Sequence, residues 1–168
     1  MPSTTAQRKE QHERWNELAR DPLLSERPYK VETNARGQIV LSPHTNRPPF
    51  LRKAVQKKLD DLLSGGEAFQ ELAIVTSGGT KQADVVWASS DRLKEMKQTG
   101  DPTMLAPEIC VEVMSDSNDW EEMHAKRVLY REAGAEEVWV VDEDENVRFF
   151  GENELEHSEI APDFPDHV

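Results

Sequence analysis

The sequence predicts a single α/β domain in which a mixed central sheet is flanked by helices. Three observations lead there. Short β-prone runs alternate with segments whose apolar residues recur at helical spacing, the pattern of a sheet covered by helices. The chain has 168 residues, enough for one real core and little for a second. The order strand, helix, strand runs without interruption from Glu108 to Asp142.

Taken in order, residues 5 to 20 read as a short polar helix with Trp15 and Leu18 as its large apolar anchors. Breakers follow at Asp21-Pro22 and Arg27-Pro28, so residues 1–28 form a polar helical appendage. Tyr29 to Thr33 and Gln38 to Leu41 flank the turn Asn34-Ala-Arg-Gly37 and predict a hairpin. A helix starts near Pro49, with Phe50, Ala54, Val55, Leu59, Leu62 and Leu63 as its apolar positions and Gly65-Gly66 as its stop. Ala68 to Thr76 and Gln82 to Ala88 are strands joined by the tight connection Ser77-Gly-Gly-Thr80. Ser89-Ser90-Asp91 caps a short helix reaching about Gln98, and Gly100-Asp101-Pro102 separates it from the next strand.

That strand is Ile109 to Met114, and Ser115 to Asn118 cap the last long helix. Met123, Lys126, Tyr130 and Ala133 share one face of this helix, so Lys126 points inward, and Gly134 follows as the C′ residue. Glu137 to Val141 and Asn146 to Phe150 close residues 29–150 as a hairpin, and residues 151–168 read as an acidic, proline-punctuated tail.

Net charge is -13, from 20 Lys and Arg against 33 Asp and Glu, so the whole molecule repels polyanions at long range. Against that, Arg47 to Lys58 is locally basic and suited to phosphate. The single cysteine, Cys110, lies in an apolar strand and reads as a buried thiol of a reducing compartment. No apolar run approaches the roughly 18 residues of a membrane span, and the amino terminus has no apolar signal core, so a cytoplasmic location is expected.

Glu112 is the most informative residue. Strand alternation puts it on the same face as Cys110 and Met114, where an isolated carboxylate is costly unless a metal, a cation or a proton neutralises it. Asp84 lies on a neighbouring strand and Lys126 on the following helix. Two carboxylates with the Val113 carbonyl suit Mg²⁺, or Mn²⁺ in its place, and a nearby lysine suits hydrolysis of a phosphodiester. The plainer readings are an Asp84 bonded to backbone amides, a structural Glu112–Lys126 ion pair and a Lys126 whose stem merely covers apolar surface. Gln82 shares a face with Asp84 but reads as a polar strand entrance. His44 is an exposed loop histidine, His124 lies on a different helical face from Lys126, and Tyr130 is a core residue whose hydroxyl reaches a polar neighbour. No zinc-like Cys and His cluster or phosphate-binding glycine loop is present.

The segments ADVVW, EICVEVMSDS and HAKRVLYREAGAEEVWVVDED, with YKVETNARGQIVLSP upstream, resemble the Uma-type restriction endonuclease family of the PD-(D/E)XK nuclease superfamily. The resemblance covers roughly Tyr29 to Phe150. It implies a restriction-endonuclease-like fold and a Mg²⁺-dependent nuclease acting on DNA, with Asp84 and Glu112 as the metal-binding acids. Met114 stands where the superfamily has its lysine, and Lys126 is the matching position on the next helix. Glu32 resembles an additional family acid. Ala83 replaces the usual proline, and Ser115-Asp116-Ser117 replaces a serine-proline-serine. Two alternatives stand beside this reading: an inactive nuclease-fold domain that meets a basic protein partner, and a metal-dependent hydrolase of a small phosphorylated substrate. A homodimer follows only by analogy with enzymes that cut two strands.

Overall fold

The computed structural model describes residues 5–21, 29–43, 47–116 and 118–168. Its centre is a six-stranded mixed sheet in the order β3-β4-β5-β6-β7-β8. The strands are β3 (Gly66–Thr76), β4 (Gly79–Ser89), β5 (Ile109–Val113), β6 (Glu137–Val141), β7 (Val147–Phe150) and β8 (Glu154–Leu155). Every neighbouring pair is antiparallel except β5 and β6, which run parallel. That one parallel pair needs a crossover, and helix α4 (Trp120–Glu132) supplies it. β1 (Tyr29–Thr33) and β2 (Ile39–Pro43) form a separate two-stranded sheet, and α1 (Thr5–Ala19), α2 (Arg47–Leu62) and α3 (Ser90–Thr99) complete the set. The expected α/β class with a mixed, helix-flanked sheet is the observed one.

β5 and β6 are buried along their whole length, as central strands covered on both faces must be. One face carries Val85, Val111, Trp139 and Phe149, packed against Leu51, Val55 and Leu59 of α2. The other carries Val86, Cys110 and Val138, packed against Tyr130 of α4. The buried stripe of α2 therefore differs from the expected one: Leu51, Arg52, Val55 and Leu59 face inward, while Phe50 is 75 % exposed and Leu62 is also exposed.

Two further differences concern chain ends and caps. Asp119, not the preceding Ser115 to Asn118 segment, is the N-cap of α4, its side chain accepting from the Glu122 N–H. Asn118 instead accepts from the Ser115 N–H and donates to Glu122. The segment after β7 is no free tail, because Ala161 and Phe164 belong to the core and Phe164 stacks on Trp139 at 4.6 Å between ring centroids. Glu137 fixes this return, its buried carboxylate accepting from the Trp139 indole, the Ser158 hydroxyl and the N–H groups of Glu159 and Ile160. α1 is tied to the hairpin turn by Arg14, whose Nε donates to the Gly37 carbonyl. Among the described residues, no helix is long and apolar enough to cross a membrane.

Candidate active site

The ladder between β4 and β5 gives Asp84 and Glu112 their relation. Val85 pairs with Val111 and Val86 with Cys110, so the next step of that antiparallel register puts Asp84 opposite Glu112. Both acids are buried, at 4 % and 2 % exposure. The Asp84 carboxylate is held from behind by the Val113 N–H at 2.7 Å. An extended residue directs its N–H and C=O to the same neighbouring strand, so the Val113 carbonyl also leaves β5 on the Asp84 side.

β1 lies across the first half of β4 and is pinned there by side-chain bonds in place of a ladder. The Thr80 N–H donates to Thr33 Oγ1 at 2.8 Å, the Gln82 N–H to Glu32 Oε2 at 2.8 Å, and Lys81 Nζ to the Thr33 carbonyl at 2.9 Å. Gly79, with φ of +111°, lets this crossing happen: a Cβ there would meet the Thr33 carbonyl oxygen at 2.1 Å. The crossing brings Lys30 and Glu32, which share one face of β1, down onto the two acids.

Lys30 Nζ lies 3.2 Å from Asp84 Oδ1 and 2.8 Å from Glu112 Oε2, bridging the pair. From α4, Lys126 Nζ reaches Glu112 Oε1 at 3.4 Å and Glu32 at 3.0 Å, and the Tyr130 hydroxyl donates to Glu112 Oε1 at 2.6 Å. From α2, Arg52 stands 3.8 Å from Asp84 and 3.3 Å from Glu71, and its buried Nε has no hydrogen-bond partner among the described residues. Three buried acids, Glu32, Asp84 and Glu112, thus meet three buried cations, Lys30, Arg52 and Lys126.

The environments drive the two central acids apart. For Asp84 burial is the largest influence and raises its pKa to about 6, with Lys30 opposing and Glu112 adding to the rise. Burial acts on Glu112 in the same sense, but Lys126 and Lys30, with the hydrogen bonds from Lys30 and Tyr130, hold it down at about 2. Burial works against the Lys30 ammonium, and the Asp84 and Glu112 carboxylates outweigh it, so its pKa stands well above that of a free lysine. Burial and Glu112 push the Tyr130 phenol up, which keeps it a donor. Burial also pushes the Cys110 thiol up, leaving it an inert core group.

Of the residues singled out from sequence, Asp84, Glu112, Lys126, Glu32 and Tyr130 converge here. Gln82 contributes through its backbone N–H alone, and His124 lies elsewhere, stacked at 5.6 Å on Trp120. His44 lies outside the described residues. Lys30 and Arg52 join the site without being singled out by the sequence pattern. The i, i+2 relation to Glu32 was a signal for the first, and its place on the stripe with Val55 and Leu59 a signal for the second.

A family model described as "Uma2: Putative restriction endonuclease" matches residues 9–166. The chain belongs to the Uma2 family. The match takes in α1 from Lys9 onward and the C-terminal return as far as Asp166. No curated protein sequence matches the chain. Among solved structures, the fold is similar to that of a protein described as a putative nuclease belonging to DUF820 from Anabaena variabilis, with a TM-score of 0.66 and 13 % identity over 82 % of this chain and 86 % of that one. At that identity the likeness speaks for the fold, which is the one the Uma2 resemblance implies.

Proposed function

We propose that this protein is a metal-dependent endonuclease that hydrolyses DNA phosphodiester bonds, with Asp84 and Glu112 as its metal ligands and Lys126 as its catalytic lysine. One observation carries the reading: two buried carboxylates from adjacent strands converge on a single cation position, with a helix lysine directly behind. The donor set fits a hard divalent ion, since it consists of carboxylate oxygens with the Val113 carbonyl on the same side. Among the described residues no three acidic, cysteine or histidine side chains form a metal cluster. Water and substrate phosphate would therefore supply the rest of the shell, as is usual for Mg²⁺. When bound, Mg²⁺ or Mn²⁺ supplies a more acidic water and charge neutralisation at the phosphate.

The chain's own groups have separable tasks. Glu112, whose carboxyl is held below the usual carboxylate range by Lys126, Lys30 and Tyr130, keeps one ligand charged at neutral pH. Lys126 carries a cation that faces the same acids and suits orientation of the attacking water or stabilisation of the charge gained by the phosphate. Glu32 fixes Lys126 in place at 3.0 Å. Lys53, Lys57 and Lys58 are exposed on α2 and offer a local basic strip for a nucleic-acid backbone on an otherwise acidic molecule.

The test is a calorimetric titration of Mn²⁺ into the wild type, Asp84→Ala and Glu112→Ala, with plasmid nicking followed on the same samples. Saturable binding that both variants lose, together with metal-dependent nicking, is the expected result, and Lys126→Ala should abolish nicking while retaining metal binding. No metal-dependent hydrolysis of any nucleic acid, and a metal response unchanged in Asp84→Ala, would overturn the reading. The balance of three buried acids by three buried cations favours a second reading, a nuclease-fold binding domain that has lost catalysis, and that outcome would select it.

A further inference from the structure

We infer that Lys30 is an internal counter-cation: its ammonium holds the position between Asp84 and Glu112 in the metal-free protein, and a divalent ion enters only as Lys30 leaves. The inference rests on the reading of those two acids as the metal pair.

The geometry is specific. Lys30 Nζ takes one oxygen from each acid, at 3.2 and 2.8 Å, and so stands between the two side chains that would share an ion. The other oxygen of each acid is engaged elsewhere, Asp84 Oδ2 by the Val113 N–H and Glu112 Oε1 by Tyr130 and Lys126. The oxygens free to ligate are therefore the ones that Lys30 occupies. Charge leads to the same conclusion. Three acids already meet three cations, so a divalent ion added beside a retained Lys30 would leave the buried site doubly positive, whereas exchange for Lys30 adds a single charge.

Lys30 is also the cation placed to move. It is carried by β1, which belongs to the two-stranded sheet and not to the six-stranded one, and its ammonium sits on a flexible four-carbon stem. Lys126 lies on the crossover helix, clamped by Glu32 as well as Glu112. A site closed in this way is latent until an ion displaces the lysine, and a phosphate arriving with the ion offers Lys30 a new partner. The measured metal affinity is then the intrinsic affinity reduced by the fraction of molecules with Lys30 displaced.

The experiment is Mn²⁺ calorimetry and thermal unfolding, with and without Mn²⁺, on the wild type, Lys30→Met and Lys30→Gln, with Lys94→Met on α3 as an exposed-lysine control. Both Lys30 variants should bind Mn²⁺ about tenfold more tightly or better, as expected if the displaced state is a minor one, and gain more in Tm from the ion than the wild type does. Lys94→Met should match the wild type. If a Lys30 variant folds only with Mn²⁺ present, the ion has taken the place of the lysine and the inference stands. Unchanged or weaker affinity in the folded variants, with the wild type binding through Asp84 and Glu112, would overturn the inference and leave the metal-site reading intact. Variants that fail to fold with or without Mn²⁺ would overturn it as well, and absence of binding in every protein would overturn both.

Discussion

At the scale of single residues, Glu112 is the acid on which the site closes, because Lys30, Lys126 and Tyr130 all donate to it. Glu112→Gln removes the charge and leaves Lys30 and Lys126 buried with less compensation, so a loss of about 3–5 kcal/mol is expected in urea unfolding at neutral pH. The pH dependence has a definite sign for each acid. Glu112 has a folded pKa of about 2 against an ordinary 4.5, so its ionised form stabilises the fold above the ordinary value. That contribution is lost as pH falls from about 4.5 toward 2. Asp84 is opposite: raised from 3.8 to about 6, its ionisation costs stability, and acidification through that interval relieves the cost. Urea unfolding from about pH 3 to 7 should therefore show the acid limb reduced in Glu112→Gln and the relief between about 6 and 4 absent in Asp84→Asn. Variants with the wild-type profile would rule out these roles.

At the scale of elements, the site depends on where β1 crosses β4, and that crossing depends on the turn between β3 and β4. Gly79→Ala imposes strain at a φ of +111° and drives a Cβ into the Thr33 carbonyl, so it should destabilise by at least ~1–3 kcal/mol. It should also tighten Mn²⁺ binding, since Lys30 hangs from the displaced strand and its withdrawal frees Asp84 and Glu112 for the ion; an unchanged Tm would show that the hairpin is not held there. The cap of α4 tests a separate point. Asp119→Ala removes an acceptor for the Glu122 N–H and should cost about 1 kcal/mol, whereas Ser115→Ala should cost less. The hairpins, the strand and helix order and the inward face of α4 were legible in the sequence because turn residues and period are local signals. The cap was harder to read because Ser115, Asn118 and Asp119 are all competent acceptors, and only the backbone path selects among them.

At the scale of the whole molecule, the C-terminal return joins the core instead of trailing from it. Phe164→Ala removes a ring packed on Trp139 and Phe149 and should cost about 3–5 kcal/mol while sparing Mn²⁺ affinity, because the ring lies on the face of the sheet packed against α2. A loss below 1 kcal/mol would return the segment to the status of a tail. In the sequence it reads as a tail because its two core residues, Ala161 and Phe164, are sparse among acids and prolines. Their burial is a property of the sheet they land on.

By itself the sequence determined the fold class, the order of its elements and the candidate acids Asp84 and Glu112 with Lys126 behind them. Each of these follows from local period or from a polar residue standing where the pattern demands an apolar one. The tertiary structure alone decided that Lys30 bridges the two acids and that Arg52 and Glu32 complete the charge balance. These contacts join residues 54, 82 and 94 positions apart, in the pairs Lys30–Asp84, Lys30–Glu112 and Glu32–Lys126. A lysine on a short strand has the same local signature whether it points to water or onto a buried carboxylate. Only the crossing of β1 over β4 distinguishes the two, and burial of the charges then makes each pairing obligatory.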